Sequence, residues 1–275
     1  MFSNYSLSQG MKWAELVADG RPYANRVYDQ IFMKPEDMLK QAYLMNDFVA
    51  GKDIVFLGDG DGMSMLFAAL SSNGLIDKPK SFTVLDFDQR IINNINRFLN
   101  VNGIEDKVDF STELYNVIDK LPEKHQEKYN FFYINPPYGS KNNGISCEVW
   151  LYRCLELCKN ECSGCIVIPY TNTQDWTQKA MLHNQEFLTA HGFVIRDMLS
   201  EMHRYYLKDN PELRSASIVV DRINKVSSEF SNQLMPPALV EKLYGTPRNI
   251  PRIIYDDGTE IGNPDFNWNY GMYAV

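Results

Sequence analysis

Three glycines in "FLGDGDGMS" and an acidic residue at the end of the next strand have types and spacing that suit ligand chemistry. Gly58, Gly60 and Gly62 let a backbone turn tightly and approach a ligand with no Cβ in the way. Such a pattern alone is equally compatible with a plain turn. Asp86 in "VLDFD" strengthens it, because a carboxylate at that strand end can accept from both hydroxyls of a ribose. Asp88 is the alternative for that role, or the N-cap of the following helix. A second group stands in "YINPPYGSKNNG", where an apolar run halts at Asn135, Pro136, Pro137 and Tyr138. Two adjacent prolines cannot continue a helix or an interior strand, so the chain either merely turns there or ends a strand at an active-site edge.

The elements that must position these residues follow from periodicity. Residues 1–50 read as an N-terminal helical segment: "MKWAELVADG" closes on glycine, and "KPEDMLKQAYLMNDFVAG" opens with Pro35 at a first helical position. Short apolar runs at 53–58, 81–88, 107–113, 130–135 and 164–170 then alternate with helical stretches, among them 146–161 and 174–190. That alternation implies right-handed crossovers and a parallel sheet covered on both faces. "GFVIRDMLSEMHRYYL" and "SASIVVDRI" are two further strands, and "KDNPELR" between them is too short for a crossover helix, so they pair antiparallel. The predicted fold class is α/β: a Rossmann-like, doubly wound, mostly parallel seven-stranded sheet with an antiparallel last pair, over residues 51–223. Residues 224–275 form a C-terminal arm carrying Tyr255, Phe266, Trp268, Tyr270 and Tyr273, either packed on the domain or a second subunit, or covering the substrate.

This layout resembles class I S-adenosylmethionine-dependent transferases. Nucleotide-binding dehydrogenases share the strand, glycine loop and acidic strand end, but Asp59 and Asp61 would repel a pyrophosphate. S-adenosylmethionine carries no phosphate and bears a sulfonium and an ammonium, so acidic loop residues suit it. Gly58, Asp59, Gly60, Asp61, Gly62 and Asp86 are therefore the candidate cofactor residues. Phe56 departs from the habit of that class, which often places an acidic residue near the amino-acid end of the cofactor; Asp59 or Asp61 would take over.

At residues 135–138 the sequence resembles amino-methyltransferases that modify exocyclic nitrogens, and "NPPYGSKNNG" is similar to small ribosomal-RNA adenine N6-methyltransferases. The resemblance implies that the Asn135 oxygen and the Pro136 carbonyl accept from the amine N–H groups, restoring nucleophilicity to a delocalised lone pair, while Tyr138 stacks on the base. A second resemblance covers more of the chain. "RPYANRVYDQIFMKPEDMLKQAYLM" followed by "GKDIVFLGDGDGMS" looks like the catalytic domain of the branched-chain polyamine synthases, bis-aminopropyl spermidine synthases with a Gly-Asp-Asp-Asp loop. It implies decarboxylated S-adenosylmethionine as the alternative cofactor and adds Tyr28, Asp29 and Gln30 to the cofactor site, unless they are an ordinary turn. Gly60 replaces that family's middle aspartate, and Asn135 replaces the aspartate of its Asp-Pro-Pro. An aliphatic amine is a cation at neutral pH and needs a base, which an amide is not. On this reading Asn135 favours methyl transfer to an exocyclic amine, with adenine N6 in RNA or DNA as the leading acceptor, over aminopropyl transfer; a cofactor-binding scaffold without catalysis is the third alternative.

His203, Arg204 and Tyr205, with Lys141, form a candidate substrate patch near the antiparallel pair, or a solvated strand end. Five cysteines crowd into residues 147–165, and Cys147, Leu151, Cys154 and Cys158 fall at helical spacing, so buried reduced thiols are expected rather than a metal site. A net charge of −8 gives no general attraction to a phosphate backbone and suits a small cationic amine. No apolar run reaches the about 18 to 20 residues of a membrane helix, and no secretion signal is evident, so a cytoplasmic enzyme is expected. Its partners would be a nucleic-acid or small-amine substrate, together with a second copy or a partner subunit.

Overall fold

A computed structural model describes residues 4–245, 251–256 and 260–262. Phe266, Trp268, Tyr270 and Tyr273 of the expected C-terminal arm lie outside them. Helices α1 (Asn4–Gly20) and α2 (Pro35–Val49) open the chain, with Pro35 in the first turn of α2. Met38, Ala42, Met45 and Val49 of α2 recur at helical spacing and are fully buried, so one stripe of the helix seals the sheet.

Strands β1 (Asp53–Leu57), β2 (Ser81–Asp86), β3 (Phe110–Leu114), β4 (Tyr129–Ile134), β5 (Cys158–Pro169), β6 (Phe193–Arg204) and β7 (Arg214–Arg222) make one sheet in the order β3-β2-β1-β4-β5-β7-β6. The first five are mutually parallel, and β7 runs antiparallel between β5 and β6. This is the expected doubly wound architecture. Helices α3 (Met63–Ser72), α4 (Gln89–Val101), α5 (Ser146–Leu157) and α6 (Asp175–Ala190) supply the crossovers. Successive strand residues feed opposite cores: Ile54, Phe56, Phe131 and Tyr133 on one face, Val55, Leu57, Phe132 and Ile134 on the other. Burial on both faces explains why β1 and β4 read as unbroken apolar runs.

Two boundaries differ from expectation. α5 stops at Leu157 rather than near 161, and β5 starts at once at Cys158, with a register shift against β4 between Tyr129 and Phe131. Cys158 is thus the end cap of α5 and the first residue of β5, not a member of the helical face that Cys147 and Cys154 share. All five cysteines are buried thiols. The described part of the C-terminal arm packs on the domain: Met235, the short helix α7 (Pro237–Val240) through Val240, then Leu243, Tyr244 and Ile254, join the second core.

Candidate active site

The strand order reverses between β1 and β4, and the crevice beyond their carboxyl ends holds a cavity of about 280 Å³. Its floor is the glycine loop. Gly58 and Gly62 adopt φ of +74° and +73°, the left-handed region that glycine enters without penalty. A Cβ on Gly62 would stand 2.9 Å from Val17 Cγ1 and closer still to Met65 Cε. Gly60 lines the cavity with space over it.

Each loop aspartate is tied to a different element. Asp86 Oδ2 accepts from the Asp59 backbone N–H at 2.8 Å and Oδ1 from that of Asp88 at 2.9 Å, which fastens the loop to the end of β2. Asp59 accepts from the Ser64 hydroxyl at 2.5 Å and backbone N–H at 3.1 Å, holding the first turn of α3. Asp61 Oδ1 accepts from Met33 N–H at 2.7 Å and faces Arg21 at 3.5 Å, while Oδ2 accepts from the Asn135 amide Nδ2 at 2.7 Å. Burial pushes all three carboxyls above the ordinary range, Asp86 to about 7. For Asp61 the Arg21 charge, Met33 and Asn135 oppose that rise.

Asp88 takes the structural role offered to it. It caps α4 by accepting from Arg90 N–H at 3.0 Å, pairs with the Arg90 guanidinium, and accepts from Gln30 Nε2 at 3.0 Å. Asp86 rather than Asp88 lines the cavity. Tyr28, Asp29 and Gln30 line it too, from the end of a 3-10 turn (Arg26–Tyr28) and the two residues after it, which the Gln30–Asp88 bond holds over the loop.

Asn135, Pro136, Pro137 and Tyr138 line the opposite wall, at the end of β4. The Tyr138 hydroxyl lies 3.2 Å from Asn135 Oδ1 and bonds to the Tyr205 hydroxyl, which lies 2.5 Å from Ser215 Oγ. Ser215 Oγ is 2.8 Å from His203 Nδ1, whose Nε2 is 2.9 Å from Gln41 Oε1.

The substrate patch read from the sequence does not assemble. His203 is fully buried on β6, with both ring nitrogens engaged, and burial lowers its pKa to about 3, so it carries no charge. Arg204 points into a separate groove with Lys34 and Lys208, its guanidinium held by Asp37 at 2.8 Å. Lys141 is exposed and outside the cavity lining. Of that group, Tyr205 alone lines the cavity.

Other lining residues went unread in the sequence. Tyr133 is one, with a buried hydroxyl that has no hydrogen-bond partner among the described residues. Its position two before Asn135 puts both on the same side of β4, a legible signal. Asp209 and Asn210, from the joint between β6 and β7, and Trp176 close the mouth. Asp29, Asp59, Asp61, Asp86 and Asp209 all line the cavity; Arg26 is its sole Lys or Arg among the described residues, and its guanidinium lies 3.4 Å from Asp209.

A family model for the branched-chain polyamine synthase A C-terminal domain matches residues 11–254. No curated protein sequence matches the chain. Among solved structures, the branched-chain polyamine synthase of Thermus thermophilus, in complex with N4-aminopropylspermidine and 5′-methylthioadenosine, superposes with a TM-score of 0.66 at 20% identity, over 88% of this chain and 70% of that one. Its C9 mutein gives 0.69 at 21%, with the same coverage. A candidate RNA methyltransferase from Pyrococcus horikoshii gives 0.58 at 14%, over 79% of this chain and all of that one. These likenesses establish the class I methyltransferase fold.

Proposed function

Because the chain belongs to the family of the branched-chain polyamine synthase A C-terminal domain, we propose that it is an aminopropyltransferase that uses decarboxylated S-adenosylmethionine and a polyamine acceptor. The observation that carries this reading is the 2.7 Å bond between Asn135 Nδ2 and Asp61 Oδ2. Asn135 had argued against an aliphatic amine, since an amide cannot take its proton. Asp61 supplies a carboxylate at that same edge, so the asparagine does not remove the base. Burial raises the Asp61 pKa, which makes its carboxylate a stronger base than a solvated aspartate.

The residues present fit a cationic nucleoside. Leu85, Phe87, Ile91 and Val117 offer apolar wall, Asp86 faces the cavity at the strand end, and Asp59 and Asp61 meet positive charge from the loop. The Tyr133 hydroxyl is an orphaned polar group that a bound molecule would satisfy. The bound nucleoside would supply the sulfonium: the acceptor nitrogen would bond to the adjacent carbon as that carbon's bond to sulfur breaks, and the nucleoside would leave as a neutral thioether. Asp61 takes the proton of the cationic amine before that attack, and the Met33 N–H and the Asn135 amide hold its carboxylate in place for that task. The acidic lining draws a polyamine in and offers poor company to the carboxylate that S-adenosylmethionine retains, because Arg26 is the only Lys or Arg in the described lining and Asp209 occupies it.

Methyl transfer to an exocyclic amine is the second reading. The observation in its favour is that Asn135 and Pro136 line the cavity side by side, as two acceptors for one amine. Incubating the protein with S-adenosylmethionine or its decarboxylated form, each labelled in the transferred group, and with separate pools of polyamine, RNA and DNA, separates the two. Label appearing in polyamine from the decarboxylated cofactor is expected; methyl label in nucleic acid would replace this reading with the second.

A further inference from the structure

A buried file of hydroxyls runs away from the cavity behind Asn135, and its proton count has a consequence for the acceptor. Five links join Asn135 Oδ1, Tyr138, Tyr205, Ser215, His203 and Gln41 Oε1 in sequence. Both ends are carbonyl oxygens, which only accept. Burial keeps Tyr138 and Tyr205 in the phenol form and His203 as neutral imidazole, so the two tyrosines, Ser215 and His203 bring one proton each. Four protons serve five links, and one link must go without.

The weakest link by geometry is the one between Tyr138 and Asn135, where the Tyr138 hydroxyl could otherwise donate. At 3.2 Å it is longer than the 2.5, 2.8 and 2.9 Å separations farther along the row. It is also the one facing the cavity, where a ligand can make up the loss; an empty link deeper in would strand a buried polar atom without a partner. Gln41 sets the direction: its Oε1 accepts from Ser217 Oγ at 2.7 Å and from His203 Nε2, which leaves Nδ1 to accept from Ser215. Each hydroxyl then donates inward, Tyr138 to Tyr205 and Tyr205 to Ser215.

We propose that this file keeps the Asn135 oxygen and a lone pair of the Tyr138 hydroxyl open toward the cavity as a paired acceptor for the N–H groups of the substrate amine, with Tyr205, Ser215 and His203 as positioning residues. The amine assignment rests on the polyamine reading above; the direction of the file does not.

The test uses Tyr205→Phe and Ser215→Ala. Either removes the next acceptor along the file, so the Tyr138 proton turns back to Asn135 and occupies it. A tenfold or greater fall in kcat is expected, with the KM for the nucleoside cosubstrate unchanged. The double variant Tyr138→Phe/Tyr205→Phe has no proton to turn back, so the Asn135 oxygen is open again although the Tyr138 half of the pair is gone; it should turn over faster than Tyr205→Phe but more slowly than wild type, a rescue that a merely structural role would not produce. A neutron structure of the deuterated wild-type protein provides a readout free of turnover: the Tyr138 deuteron should lie toward Tyr205. A deuteron toward Asn135, an unimpaired Tyr205→Phe, or a double variant no faster than Tyr205→Phe overturns the proposal. If neither single variant folds, the deuteron decides. Wild-type protein that transfers nothing to polyamines would sink the reading of function while leaving the deuteron result to stand on its own.

Discussion

Asp61 and Asn135 belong to different motifs, 74 residues apart in sequence, and share one hydrogen bond. Replacing Asp61 by Asn keeps the shape of that contact and removes the base. An approximately 10²- to 10⁴-fold loss of kcat is expected from steady-state kinetics, with the nucleoside still bound in calorimetry. Unchanged turnover in Asp61→Asn would mean the proton leaves by another route. Asn135→Asp restores the residue expected for the polyamine synthases but sets a second carboxyl against Asp61 Oδ2, and two such groups cannot both ionise. The acid limb of the pH–rate profile should move to higher pH; a limb that stays in place would show that the two carboxyls do not meet. Residue types at this site were legible from the sequence, since Asn135, Pro136, Pro137, Tyr138 and the glycine loop all line the cavity. Their pairing was not, because a contact between two strand ends depends on register across the sheet. His203 was misplaced for a related reason: strand β6 shifts register against β7 between Leu199 and His203, so alternation counted from Phe193 does not say which face the imidazole takes.

At the scale of elements, the loop works because three helices and strands are pinned to it. Asp88→Ala removes the cap of α4, the partner of Arg90 and the bond to Gln30 together. Loss of the cap alone costs about 1–2 kcal/mol, and the released turn at Tyr28–Gln30 should weaken nucleoside binding besides. Urea unfolding and calorimetry on Asp88→Ala read the two effects separately; a stability loss with no change in affinity would show that the turn does not need Asp88. Gly62→Ala places a Cβ against Val17 and Met65 at a φ of +73°, so it should destabilise by about 1–3 kcal/mol and shift α1 against α3. Strand and helix identities were readable throughout the sheet because periodicity and glycine punctuation agree there. The start of β5 was not, since "CKNECSGC" carries no apolar alternation: Lys159, Asn160 and Glu161 reach toward solvent beside a register shift, between buried Cys158 and the buried run that begins at Cys162. The residues at the end of the 3-10 turn, Tyr28, Asp29 and Gln30, were legible only through the family resemblance, because they reach the cavity through tertiary contacts that no local pattern records.

For the molecule as a whole, charge is the property that travelled best from sequence to site. The excess of acid is concentrated where the cavity is: Asp29, Asp59, Asp61, Asp86 and Asp209 line it. Three of these are buried with raised pKa values, Asp86 reaching about 7 against an ordinary 3.8. In the free protein Asp86 holds a proton that a solvated aspartate would have released by about pH 5. Melting temperature is a poor reporter of this, because buried neutral His203, with its pKa lowered to about 3, shifts stability with pH in the opposite sense over much of the same window. Ligand binding isolates the cavity. A cationic nucleoside favours the ionised acids, lowers their pKa values and so expels protons; its affinity must then rise with pH between about 5 and 7 and level off above. Calorimetry with decarboxylated S-adenosylmethionine, repeated in buffers of different ionisation enthalpy, should count protons released in that window. Asp86→Asn, which cannot release one, should flatten the dependence. An affinity that falls as pH rises from 5 to 7 would show that the acids already bear full charge without ligand, and the cavity would then be attracting cations through open solvent rather than through burial.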